Sequence, residues 1–356
     1  MGAQHGSPFE TISDGFVGVI LRKRRTGWAH ACRNSLVASW CDFWALRRES
    51  DAMTFNEGAR MNPGRVRTGG GGRGGKIALG GGAGSIVVLI LALLFGGDPG
   101  ALLGSGDPDQ STEYGAGGTV EGCETGADFN ANVDCRIVGT VGSLDLVWEQ
   151  HLAQQTGVAY VQPEVAIFSG STSTGCGNAT SDIGPFYCPP DQTAYFDSSF
   201  FEELVTRFGA SAGPLAQEYV VAHEVGHHIQ NQLGDLGRAQ ADPRGPESGA
   251  VRTELQADCY AGVWAYHADK MPDPNTGQPF LTPLSDTDIR DALSAASAVG
   301  DDRIQSAASG RVNPEAWTHG SSEQRQKWFL AGYRTGQVSA CDTYSARDLD
   351  SPDALR

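Results

Sequence analysis

Five residues of this 356-residue chain carry the pattern of a hydrolytic metal site: His223-Glu224-Val225-Gly226-His227. Two histidines four residues apart share one face of a helix and can grip a single ion. The glutamate between them can take a proton from a water held at that ion. The chain has 8 histidines, and such a pair beside a carboxylate has little structural purpose; ordinary helix histidines are the alternative. A catalytic ion needs three protein ligands and one open position. A third histidine six residues after the second is absent, because Leu233 stands there. Downstream, Glu254 and Asp258 lie four apart on a second helical stretch, again on one face. That spacing suits Glu254 as a metal ligand and Asp258 as acceptor of a ligand histidine's outer N–H. A solvated acidic face is the alternative, and His267 is the other candidate third ligand. The neighbouring Leu255, Ala257, Ala261, Val263 and Trp264 favour burial. His228 faces away from the pair and reads as a surface or packing residue.

These residues need a scaffold. Pro214–Leu233 reads as a helix, with Ser211 as its cap, Pro214 in the first turn and Gly234 as its stop. Leu215, Tyr219, Ala222, Val225, Gly226 and Ile229 recur at helical spacing and predict a buried stripe. Residues 144–155, 286–298 and 321–333 read as further helices, and residues 158–168 and 192–197 as strands. The polar loop 235–250 could border the cleft, and a loose tail is expected from Asp342 on. The fold class is α+β: a small sheet beside the motif helix, with a mainly helical remainder.

Charge is unevenly divided. Residues 1–96 carry 12 Lys/Arg and 6 Asp/Glu; the rest carries 14 and 36. An acidic globular part argues against nucleic acid as a partner. Six cysteines lie in that acidic part, an even count that fits an oxidising compartment. Cys123–Cys135 and Cys176–Cys188 would close short loops, leaving Cys259–Cys341; other pairings stay open. No C-x-x-C occurs, which speaks against a structural zinc site.

Residues 1–52 lack periodicity and precede Met53, so we expect them to be a mis-called, disordered extension. Residues 53–76 read as a Gly/Arg-rich cytoplasmic arm. Residues 77–96 read as one transmembrane segment, residues 97–118 as a linker, 119–345 as the enzyme domain and 346–356 as a tail. Basic residues before the segment and acidic ones after it predict a single-pass anchor with a cytoplasmic N-terminus and an extracytoplasmic domain. A cleavable signal peptide is the alternative.

The longer match is to a family. Gly184-Pro185-Phe186-Tyr187-Cys188-Pro189-Pro190-Asp191, the run from Ala222 to Gln230, the run from Glu254 to Gly262, Gly300-Asp301-Asp302-Arg303-Ile304-Gln305 and the run from Trp317 to Arg325 together resemble the bacterial putative neutral zinc metallopeptidase family. The layout H-E-x-x-H followed by Glu-x-x-x-Asp is similar to the gluzincins. The resemblance implies a gluzincin-like zinc peptidase domain in the bacterial cell membrane, with Zn²⁺ as cofactor and a peptide or protein as substrate. It implies that His223, His227 and Glu254 bind zinc and that Glu224 is the base. The strand at 192–197 stands where gluzincins pair an extended substrate with an edge strand. Thr318-His319-Gly320 with Arg325 looks like the Thr-His-Pro…Arg element of prenyl-protease-type gluzincins, with Gly320 in place of proline. His319 would then donate to the developing oxyanion, and Arg325 would order the site or hold substrate backbone. The competing readings are a catalytically inert metal-binding envelope module and a metal-free scaffold.

Overall fold

The structure, a computed structural model, describes residues 54–69 and 118–356. The expectations for 1–52, for the membrane segment 77–96 and for nearly all of the linker 97–118 lie outside the described residues. Among the described residues, no helix is long and apolar enough to cross a membrane.

The architecture is α+β, as the sequence predicts. Its strands are β1 (Arg67–Thr68), β2 (Glu164–Phe168), β3 (Ser171–Thr174), β4 (Gly177–Thr180), β5 (Phe186–Cys188) and β6 (Thr193–Asp197). Its helices are α1 (Gly126–Ala131), α2 (Val133–Thr156), α3 (Ser199–Thr206), α4 (Pro214–Leu233), α5 (Gly237–Ala241), α6 (Gly249–Ala268), α7 (Asp286–Ala298), α8 (Asp301–Ser309) and α9 (Ser322–Thr335).

One sheet has the order β1-β2-β6-β5. β1, β2 and β6 run parallel, and β5 is antiparallel to β6. β3 and β4 form a separate hairpin. All five residues of β6 are buried, and it is paired on both sides. This overturns the expectation that residues 192–197 form the substrate-pairing edge. A strand covered on both faces reads as an unbroken core run, as Thr-Ala-Tyr-Phe-Asp does. The edge position next to it belongs to β5.

The motif helix α4 is buried along nearly its whole length. Pro214 sits in its first turn, and Gly234 ends it at φ 84°, donating its N–H to the carbonyls of Gln230 and Asn231. Its N-cap is Gly213 rather than Ser211, whose hydroxyl donates to Asp291. α6 starts at its Ser248 cap, whose side chain accepts the N–H of Val251. α6 and α9 touch backbone to backbone. A Cβ added at Gly262 would lie 2.0 Å from the Phe329 carbonyl oxygen, and one at Gly332 only 1.9 Å from that of Cys259. Only glycine allows that approach, and it carries Arg325 of α9 onto Asp258 of α6.

Four boundaries differ from the sequence reading. α2 begins at Val133, well before residue 144, because its first half buries polar residues that mask the periodicity. There Thr140 donates to the Arg136 carbonyl, Asp145 pairs with Arg65, and Ser143 accepts from Trp264. Residues 54–69 are not a separate arm but pack into the same unit as the site. Phe55 stacks edge-on against Phe129 and Phe280 (ring centroids 5.3 and 5.9 Å), β1 pairs with β2, and Thr54 donates to Glu218. The end of the chain is also tied down: Trp328 donates to the Leu349 carbonyl at 3.0 Å, and Leu349 is buried. The strand expected at 158–168 is confined to its last five residues, β2. Among the described residues, the disulfides are Cys123–Cys135, Cys176–Cys188 and Cys259–Cys341, the pairing expected from the sequence.

Candidate metal centre and active site

α4 and α6 bring His223, His227 and Glu254 together. One ligand atom from each lies within 4.8 Å of the others, and all three side chains are buried. Glu254 Oε2 is 3.2 Å from His223 Nε2, and its Oε1 is 3.6 Å from His227 Nε2. The outer nitrogens are each fixed. His223 donates Nδ1–H to Asp258 Oδ1 at 2.8 Å, and His227 donates Nδ1–H to Gln230 Oε1 at 2.7 Å. Gln230 is itself held, donating to the Thr253 carbonyl at 2.6 Å and to Gln256 at 2.9 Å. Both imidazoles therefore turn Nε2 toward Glu254, the nitrogen that would give up any proton and offer its lone pair to a bound cation.

That geometry fits a metal ion. His227 Nε2 and Glu224 Oε2 are buried without a hydrogen-bond partner, a costly state that a cation and its bound water would relieve. Two lone-pair nitrogens around an ionised carboxylate are a cation's donor set. Histidine and carboxylate donors arriving from helices match zinc's habits.

Asp258 is the hub beneath the ligands. Besides His223 it accepts the Tyr219 hydroxyl, Arg325 Nε–H (2.8 Å) and Arg325 Nη2–H (2.9 Å). Burial opposes its charge, yet Arg325 and His223 hold Asp258 below the usual carboxylate range. Burial alone would lower the His223 imidazolium; the Asp258 carboxylate outweighs it and raises His223 to about 9. Burial lowers His227 to about 4, which leaves it neutral. Burial pushes the Glu224 carboxyl up to about 7. Glu254 is held well below its ordinary value by His227 and His223, against the cost of burial.

His319 faces the same cavity as His223, Glu224 and Glu254. Asp301, at the start of α8, orients it: Oδ2 accepts the N–H groups of Thr318 (2.7 Å), His319 (2.7 Å) and Gly320 (3.0 Å), while Oδ1 accepts His319 Nδ1–H at 3.2 Å. That leaves His319 Nε2 as the ring atom without this tether. The cavity, about 110 Å³, is also lined by Tyr219 and Arg325, and the rest of its wall is apolar, with Ile183, Pro185, Phe200, Phe208, Val220 and Ile304.

Other expected residues fall elsewhere. His267 donates to the Gly336 carbonyl at 3.0 Å and stacks on His151, so it takes no part in the ligand cluster. His228 is not at the surface but fully buried. It accepts the Tyr187 hydroxyl of β5 at 2.9 Å and donates Nε2–H to the Val161 carbonyl at 2.6 Å, tying the edge strand to the motif helix. Residues 235–250 contribute nothing to the cavity wall, which is completed by Val299 and Ile304. The sequence reading missed Gln230 and Asp301. Gln230 was findable, three residues after His227 on the same face. Asp301 was not, since Asp301-Asp302 at a helix start looks like ordinary capping.

The sequence profile of the family described as "Putative neutral zinc metallopeptidase" matches residues 43–344. The uncharacterized protein Rv2575 of Mycobacterium tuberculosis is 57% identical over 258 residues, 72% of this chain and 86% of its own length. The uncharacterized protein YpfJ of Escherichia coli is 36% identical over 309 residues, 85% of this chain and 98% of its own. No solved structure matches.

Proposed function

The chain belongs to the putative neutral zinc metallopeptidase family, and on that premise we propose that it is a zinc-dependent endopeptidase with a gluzincin-like domain. One observation carries the reading. Three buried ligand atoms converge beside a carboxylate oxygen of Glu224 that has no partner, at the wall of a cavity. His223, His227 and Glu254 would hold the ion, with Asp258 and Gln230 fixing the two rings. Zinc bound there supplies a Lewis acid that polarises a carbonyl and acidifies water.

The chain's own groups do the rest. Glu224 takes a proton from the attacking water and passes it to the leaving amine. His319, held by Asp301, donates from Nε2 to the oxygen that becomes negative. Arg325 acts through Asp258, keeping it charged and in place. The substrate is a peptide or protein segment in extended form, laid along β5 with a side chain in the apolar cavity. The acidic surface speaks against nucleic acid.

The three disulfides support an extracytoplasmic site, and the apolar stretch 77–96 supports a membrane anchor. Residues 54–69 pack with the site-bearing unit, so a single-pass anchor with a cytoplasmic N-terminus requires that segment to detach. Cysteine-labelling of position 58 in intact cells reads which side it occupies.

The function is tested with zinc-loaded protein and a peptide library, wild type beside Glu224→Gln. Metal content should be equal in both, with cleavage in the wild type alone. A wild type that holds zinc and cleaves nothing overturns the reading.

A further inference from the structure

The Cys176–Cys188 bridge closes the loop that carries part of the cavity wall. Ile183, Gly184 and Pro185 lie inside that loop and line the cavity with His223 and Glu224. The bridge joins the turn of the β3–β4 hairpin to the last residue of β5, the edge strand. Of the three β5 residues, Tyr187 alone joins the main core, and the rest of the rim does not. It has a small satellite cluster of its own, Phe168, Ala179, Phe186, Cys188 and Tyr195, with Cys176 and Ile183 packed against it. So few apolar contacts leave the covalent link a large share of the rim's local stability.

Accessibility singles out the same bridge. Cys123, Cys135, Cys188, Cys259 and Cys341 are all buried, whereas Cys176 is partly exposed. Of the six bridged cysteines, Cys176 is thus the residue most open to a thiol from outside.

We propose that Cys176–Cys188 is a redox-addressable positioning element for the substrate: closed, it holds the Ile183–Gly184–Pro185 rim over the site; opened, it frees the rim and weakens substrate binding while the metal ligands stay in place. This rests on the peptidase reading above. The opening step is thiol–disulfide exchange with a dithiol reductant. A reductant thiolate attacks Cys176 Sγ, the S–S bond breaks, and Cys188 leaves as a thiolate and takes a proton. The reductant's second thiol then displaces Cys176 as a thiol. The protein disulfide gains two electrons and two protons, and the dithiol becomes a disulfide.

Zinc-loaded full-length protein is compared with Cys176→Ser/Cys188→Ser on a quenched hexapeptide with Leu and Phe at its centre. The expected result is KM raised by about fivefold or more, with kcat and zinc content unchanged. Cys123→Ser/Cys135→Ser is the control, since that bridge spans the same sequence separation of 12 residues and neither cysteine lines the cavity. An unchanged KM, or an equal rise in the control, overturns the proposal.

Wild type treated with graded dithiothreitol and mapped by alkylation serves where the variant does not fold. Thiols should appear first at 176 and 188; simultaneous opening of all three bridges overturns the proposal. If the zinc-loaded wild type cleaves nothing, it is the peptidase reading that fails. The rim is then judged by amide exchange at residues 183–188, which should quicken on selective reduction, and equal exchange sinks it.

Discussion

The floor of the site and its rim are built by different physics. The floor is helical and lies in the main core, where α4, α6 and α9 converge on Asp258. That carboxylate is buried with Arg325, Tyr219 and His223 around it. Charge pairing and glycine-mediated backbone contact leave little freedom there. The rim is a three-residue edge strand and a hairpin on a satellite cluster, held by a disulfide and by the Tyr187–His228 hydrogen bond. A rigid floor suits groups whose geometry sets the rate. A lightly held rim suits a surface that must admit and release an extended chain. Perturbing the floor should therefore change kcat, metal affinity and global stability, and perturbing the rim should change KM.

The largest effect expected is Glu224→Gln. It removes the proton acceptor and keeps the shape, so kcat should fall by about 10²–10⁴-fold or more with metal retained and KM little changed. Metal analysis beside steady-state kinetics checks this; a rise in KM with kcat unchanged would put Glu224 with the rim. Asp258→Ala comes next. It leaves the Arg325 guanidinium buried without its carboxylate, which costs about 3–5 kcal/mol of stability. It also frees the His223 ring, which should weaken metal binding by about 10–100-fold. Urea unfolding and metal competition measure the two separately. A variant that binds metal as wild type does would show that Asp258 supports the fold alone.

The floor was largely legible because its signals are local. His223/His227 and Glu254/Asp258 each share a helix face, and helix periodicity does not depend on the rest of the fold. Pro214 and Gly234 mark the ends of α4 for the same reason. The rim was not legible. Which of two neighbouring strands is the edge depends on pairings distant in sequence, and β6 rather than β5 carried the stronger strand pattern. Asp301 reaches His319 only through the path of α8. Residues 54–69 looked like an arm because they run into the Gly/Arg-rich stretch that ends at residue 76, while their anchors, Thr54 and Phe55, are held by residues from 129 to 280. Contacts between such distant positions have no period to read.

Acidity should separate two buried carboxyls by sign, Glu218 of α4 and Asp197 behind the rim. Glu218, on α4, is fully buried with the Thr54 hydroxyl on one oxygen and no partner on the other. Burial pushes its carboxyl up to about 7 from 4.5. The folded state then binds this proton more tightly than the unfolded chain. Stability is full below the ordinary value and is lost as pH rises toward about 7, by at most on the order of 3 kcal/mol. Glu218→Gln should flatten that slope in unfolding midpoints measured across the interval; an unchanged slope would clear Glu218. Asp197, behind the rim, runs the other way. Burial would raise it, but the Ser181 and Ser199 hydroxyls and the amides of Ser199 and Gly170 outweigh burial and hold it below 3.8. Its contribution is present above the ordinary value and is lost as pH falls through the lowered one. Amide exchange should show the rim loosening as pH falls below the ordinary carboxylate range, a smaller effect than that of Glu218. Asp197→Asn should loosen the rim already at neutral pH. Loosening of α4 and the rim together on acidification would mean that the two regions are one cooperative unit.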